Sequence, residues 1–166
     1  MIPNFGYDKI EEFFAYDPGG TTGYAKCKVE RQNGVLNIYE VGEFPNWAQF
    51  EAHLKGKSSE KFAVIYESFH LISSSAVLVP VEVIGVLKFL TDKKSILRYP
   101  QKPSERKAAE KIYPEVFQTV SSHGADAVKH AIVFAVFKLG LKSMKVRISG
   151  NKKKFHSIGI LYGQRL

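Results

Sequence analysis

Glu12-Phe13-Phe14-Ala15-Tyr16-Asp17-Pro18-Gly19-Gly20-Thr21-Thr22-Gly23-Tyr24-Ala25 is the stretch that decides the fold. Residues 12–17 are short, aromatic-rich and stopped by Pro18-Gly19-Gly20, which reads as a buried strand running into a turn. That strand ends on a carboxylate, Asp17. Beyond the turn, residues 22–30 alternate smaller or apolar residues with charged ones. Gln32-Asn33-Gly34 then supplies a hairpin turn, and residues 35–44 resume strand character. Three consecutive antiparallel strands are expected.

Downstream, Pro45-Asn46-Trp47 open a short helix reaching about Lys55, broken by residues 56–59. The apolar run Phe62-Ala63-Val64-Ile65-Tyr66 reads as a buried central strand, and it too ends on a carboxylate, Glu67. Ser73 and Ser75 lie in a loop. Residues 77–90 suit a helix with Pro80 near its first turn, and residues 95–99 suit another strand. Pro100 and Pro103 frame a loop, Ser104 caps a short helix through Ile112, and Ser121 or Ser122 caps a longer one to about Leu139, before Gly140. In the tail, residues 145–148 and 155–162 read as strands around a turn. The order predicts an α/β fold, a mixed five-stranded sheet with three antiparallel strands first, flanked by helices. No repeat or low-complexity linker interrupts it.

The chain has 166 residues, 45% of them hydrophobic, which suits one domain with a core of ordinary size. Cys27 is the only cysteine, which excludes an internal disulfide and a cysteine-based zinc site and fits a reducing compartment. The first residues lack a signal-peptide pattern, and there is no run of about 18 apolar residues, so a soluble, cytoplasmic protein is expected. The 24 Lys and Arg against 16 Asp and Glu leave a net charge of +8. Much of the excess sits in residues 141–166, which carry seven basic residues and no acidic one. The expected organisation is a domain over 1–140 and a basic extension over 141–166, packed on it as a hairpin. Such a segment attracts polyanions by releasing condensed counterions, which suits DNA or RNA, an anionic membrane surface, or merely a solvated face.

Asp17 and Glu67 both close apolar strands, and the carboxyl ends of strands in an α/β sheet are where sites usually form. A third carboxylate lies in His123-Gly124-Ala125-Asp126-Ala127. Its spacing of three puts His123 and Asp126 on one helix face, and His130, four further on, shares it. The helix is otherwise strongly apolar and must pack on the sheet, so its polar first turn can meet the strand ends. Three converging carboxylates repel one another and are stable in ionised form chiefly with divalent cations among them, and oxygen ligands favour Mg²⁺ or Mn²⁺. Two such ions roughly 4 Å apart would clamp a phosphodiester without a protein nucleophile. Taken singly, these residues are also ordinary turn, strand-end and cap residues.

YDPGGTTGYA (16–25), IYESF (65–69) and HGADAVKHA (123–131) resemble, in order and spacing over about residues 12–140, the RuvC-like Holliday junction resolvases of the ribonuclease-H-like superfamily. The resemblance implies a Mg²⁺-dependent DNA endonuclease, with Mn²⁺ substituting, that resolves four-way junctions by paired nicks. It implies that Asp17 bridges two metals, Glu67 binds one and Asp126 the other. His123 stands where bacterial resolvases often carry Asp and other RuvC-like nucleases His. It is read as a metal-site or water-activating residue, and it makes the chain look more like the divergent resolvases encoded by bacteriophages. The resemblance further implies an aromatic residue near the junction crossing point, for which Phe69 is the nearest equivalent. It also implies a homodimer through the helix over 77–90. Val79, Val83, Val86 and Leu90 form an apolar stripe there that suits either an interface or plain core. Lys102, Arg106, Lys107, Lys152, Lys153 and Lys154 are candidate contacts to backbone phosphates.

Three rivals follow. Actin-like and sugar-kinase-like ATP-binding proteins also begin with a strand, an Asp, glycines and Thr-Thr-Gly, but they need two such domains around the nucleotide. A flap nuclease, a terminase-type nuclease or an RNase H keeps the same carboxylates for another substrate. A DNA-binding relative without catalysis would have no need to hold these like charges together.

Overall fold

Neighbours of opposite direction on its two sides make β1 (Glu12–Asp17) the pivot of the sheet. The computed structural model describes residues 6–56, 62–67, 78–92, 97–117, 122–141 and 143–148. It pairs β1 antiparallel with β2 (Thr22–Glu30) and parallel with β4 (Phe62–Glu67). Outside these lie β3 (Val35–Phe44), antiparallel to β2, and β5 (Leu97–Gln101), parallel to β4. With β6 (Lys145–Ile148) the order is β5-β4-β1-β2-β3-β6. The mixed sheet with its antiparallel trio first is therefore as expected. The strand count is corrected from five to six, because residues 145–148 run parallel beside β3, from Val35↔Lys145 to Ile38↔Ile148. The expected tail strand over 155–162 lies outside the described residues. Between β2 and β3, a turn over Arg31–Asn33 closes on Gly34 at φ 59°, a left-handed backbone that side chains with a Cβ seldom adopt.

Alternation along the strands sorts the side chains into two cores. Phe13 and Ala15 of β1 join Ala63 and Ile65 of β4 and Tyr99 of β5 on one face, against Ala127, Val128, Ala131, Ile132 and Phe134. Those last five residues belong to α5 (His123–Phe137). On the other face Phe14, Tyr16, Val64 and Tyr66 meet Phe50 and Leu54 of α1 (Trp47–Lys55) and Val83, Ile84, Leu87 and Leu90 of α2 (Val79–Asp92). The sheet is thus the middle of three layers. Val83 and Leu90 are buried and Val86 packs against the same core, so three of the four residues of the apolar stripe expected on α2 are core, whereas Leu78, Val79 and Phe89 are exposed.

Local signals account for most helix starts. Asn46 caps α1, its side chain accepting from the Gln49 N–H at 3.0 Å. Ser122 caps α5 in the same way, accepting from the Ala125 N–H at 3.1 Å. The expected cap at Ser104 is corrected: α3 (Pro103–Ile112) begins two residues earlier, with Lys102 in the cap position. Pro103 takes the first helical position, where its missing N–H is harmless, and Glu105 accepts from the Lys102 N–H at 3.0 Å. A one-turn helix, α4 (Pro114–Phe117), follows. No helix among the described residues is long and apolar enough to cross a membrane.

The helix α5 is apolar nearly all round because it is covered twice, by the sheet beneath and by α3 beside it. Phe134 anchors it, fully buried and edge-on to Phe13 with ring centroids 4.9 Å apart. Phe134→Ala is expected to remove about 3–5 kcal/mol of stability, read as a lower urea midpoint at unchanged slope.

Candidate active site

The register across the sheet aligns the ends of three strands. Tyr16 of β1 lies level with Tyr66 of β4, so the residues that follow, Asp17 and Glu67, end their strands at the same height. Glu67 in turn pairs with Gln101, the last residue of β5, and Asp17 pairs on its other side with Gly23 of β2. By alternation, Asp17, Glu67 and Gln101 share the face of Phe13, Ala15 and Ile65, which is the α5 face.

The helix α5 meets this row with its first two turns. A Cβ on Gly23 would lie 1.8 Å from the carbonyl oxygen of His123, so only glycine lets the helix start this close to β2. His123 then reaches Asp17, with Nδ1 and Oδ2 2.8 Å apart. One turn on, Asp126 accepts from Lys129 Nζ at 2.9 Å and from Arg106 Nη2 at 3.1 Å. The other arm of the Arg106 guanidinium donates to Glu67 Oε2 at 3.2 Å, so Arg106 spans two of the three acids. A further turn on, His130 is fully buried, with Nε2 3.8 Å from both Asp17 Oδ1 and Glu67 Oε2.

Four of the sequence-derived site residues, Asp17, Glu67, His123 and Asp126, are therefore brought together. Arg106, expected to face DNA phosphates, instead lies inside the acidic cluster. Lys102 and Lys107 are exposed at the start of α3. Phe69, Lys152, Lys153 and Lys154 lie outside the described residues. Two further contributors stand outside that sequence-derived set. Lys129 has a side chain only 5% exposed, and a lysine in so apolar a helix signals a carboxylate partner, here Asp126. Gln101 lies just beyond Pro100, which reads as a strand stop; among the described residues β5 is an edge strand, where proline is tolerated.

The carboxylates stay reachable from solvent, with side-chain exposures of 24% for Asp17, 32% for Glu67 and 17% for Asp126. Among the described residues, no group of three His, Cys, Asp or Glu side chains surrounds one ligating point, and Arg106 stands between Glu67 and Asp126. The donor set nevertheless suits a hard divalent cation: three carboxylates beside a buried imidazole nitrogen, His130 Nε2, that has no hydrogen-bond partner. A thiol nucleophile is excluded, because Cys27 is fully buried and burial pushes its thiol well above the usual range.

No family model and no curated protein matches the chain. Solved structures do. A Thermus thermophilus RuvC structure aligns with a TM-score of 0.60 at 16% identity, covering 78% of this chain and 97% of that one. T. thermophilus RuvC in complex with Holliday junction substrate aligns with a TM-score of 0.61 at 15% identity, covering 79% and 97%. The chain has the ribonuclease-H-like α/β fold of these RuvC structures.

Proposed function

We propose that this chain is a Mg²⁺-dependent endonuclease, with Mn²⁺ substituting, that resolves four-way DNA junctions by paired nicks. The observation that carries the proposal is the gathering of Asp17, Glu67, His123 and Asp126 at the strand ends beneath the first turns of α5. Of these, Asp17, Glu67 and Asp126 would hold two divalent ions. Ions bound there supply a water of lowered pKa and positive charge for the departing 3′ oxygen. His123 contributes a half-exposed ring held through Nδ1 by Asp17, which leaves Nε2 as the nitrogen able to take a proton from an attacking water. Arg106 and Lys129 bring positive charge among the acids and keep Glu67 and Asp126 within one site.

DNA as substrate is supported by the net charge of +8 and by exposed Lys102 and Lys107 beside Arg106. Four-way junctions are supported by the RuvC structure of the same fold, which holds one. Resolution needs two sites facing opposed strands, hence a two-fold dimer. Leu78 and Phe89, eleven residues or about three helical turns apart, put exposed apolar surface near one side of α2. Phe89→Asp is expected to yield monomers in sedimentation and isolated instead of paired nicks.

The deciding experiment offers the purified protein a four-way junction, a flap, a duplex and an RNA–DNA hybrid, with Mg²⁺ or with EDTA. Symmetric paired nicks in the junction, dependent on Mg²⁺, are the expected result. Cleavage of only the flap or the hybrid would transfer the site to another substrate. Junction binding without cleavage of anything would make the chain a DNA-binding relative without catalysis.

A further inference from the structure

We propose that His130 is itself a ligand of the cation, binding through Nε2 together with Asp17 and Glu67, and that Gln101 is the residue that positions it. The proposal rests on the reading of the site as a divalent-metal centre.

Gln101 settles which nitrogen is bare. Its side-chain amide nitrogen donates to the backbone carbonyl of His130, so its oxygen Oε1 must face the ring. That oxygen accepts from Nδ1 at 2.9 Å, which makes Nδ1 the protonated nitrogen and leaves Nε2 with its lone pair. Gln101 is 1% exposed and spends both ends of its amide on this one histidine. A histidine that gives one N–H to a fixed acceptor and turns the other nitrogen to an anionic cluster has the arrangement of a metal ligand with its outer support.

Two alternatives fit less well. In a histidine serving only as core, Nε2 would be a fully buried acceptor without a partner, where an aliphatic side chain would fill the space with no such penalty. With a proton on Nε2, both nearby carboxylate oxygens, at 3.8 Å, would lie beyond hydrogen-bond reach. Two ligands about 2.1 Å from one ion can stand up to about 4.2 Å apart, so each 3.8 Å separation is within that span; because no three such side chains among the described residues already surround one point, binding would draw the two carboxylates in around the ion. A nitrogen ligand also moves the preference of the site from Mg²⁺ towards first-row transition ions.

The test loads the full-length protein with Mn²⁺ alone and reads pulsed electron paramagnetic resonance, in which a directly bound nitrogen modulates the spin echo. His123→Ala is used as background, because His123 is the other imidazole at the site. Nitrogen modulation is expected to persist in His123→Ala and to vanish in His123→Ala/His130→Asn. Gln101→Leu is expected to weaken Mn²⁺ binding about 10–100-fold in calorimetry. Should the His130 variant fail to fold, the single variant still decides. Mn²⁺ bound to His123→Ala without nitrogen modulation overturns His130 as a ligand and leaves the nuclease reading standing. Failure of the unaltered protein to bind Mn²⁺ overturns both.

Discussion

Asp17→Asn is expected to lower Mg²⁺-dependent nicking of a four-way junction by about 10³-fold or more, several kcal/mol of transition-state stabilisation, while junction binding in EDTA persists. Asp17 is the acid that both histidines face, Oδ2 meeting His123 and Oδ1 lying toward His130. Asparagine keeps the shape and the capacity to hydrogen-bond but removes the charge, and the charge is what a cation needs. Thermal stability should hardly change, because the partly exposed pair with His123 contributes little and removing one of three clustered acids relieves repulsion. Single-turnover cleavage and a gel-shift series on the same preparation separate the two effects. Cleavage at the unaltered rate would take Asp17 out of the site and the proposed function with it.

Gly23→Ala should have the next largest effect, although Gly23 bears no functional group. The new Cβ would lie 1.8 Å from the His123 oxygen and 2.7 Å from the Gly124 nitrogen, whereas real Cβ atoms essentially never approach within 3.0 Å. The start of α5 must lift by more than an ångström, carrying His123 and Asp126 away from Asp17 and Glu67. Misplacement on that scale lowers rates about 10²-fold, and the strain removes about 1–3 kcal/mol of stability. Gly56→Ala at the end of α1 is the control, since a Cβ there meets nothing closer than 3.5 Å and should leave cleavage unchanged. Equal activity of the two variants would mean that the seating of α5 on β2 does not set the site.

The strand-end acids were legible in sequence because their signal is local: an apolar run, a carboxylate, then a turn or break, once at Asp17 and again at Glu67. The cap at Ser122 and the turn at Gly34 were legible for the same reason. What escaped depends on long-range placement. Arg106 reads as any surface arginine until β4 and α5 bring Glu67 and Asp126 to either side of it, 39 and 20 residues away along the chain. His130 was visible on the face of Asp126, but its role turns on Gln101, 29 residues earlier. Parallel pairing of Val35 with Lys145 leaves no local trace either, having no shared turn.

That last pairing bears on how the protein behaves in solution. Without β6, β3 would present the backbone donors and acceptors of Val35, Leu36, Asn37 and Ile38 as an open template for a strand of another molecule. Residues 145–148 occupy that template with a short strand, the outermost among the described residues, whose Lys145 and Arg147 are exposed and positively charged, so a second copy approaching it meets like charge. The basic tail thus begins by covering a strand edge, and a chain trimmed at residue 140 is expected to self-associate, read as increased light scattering.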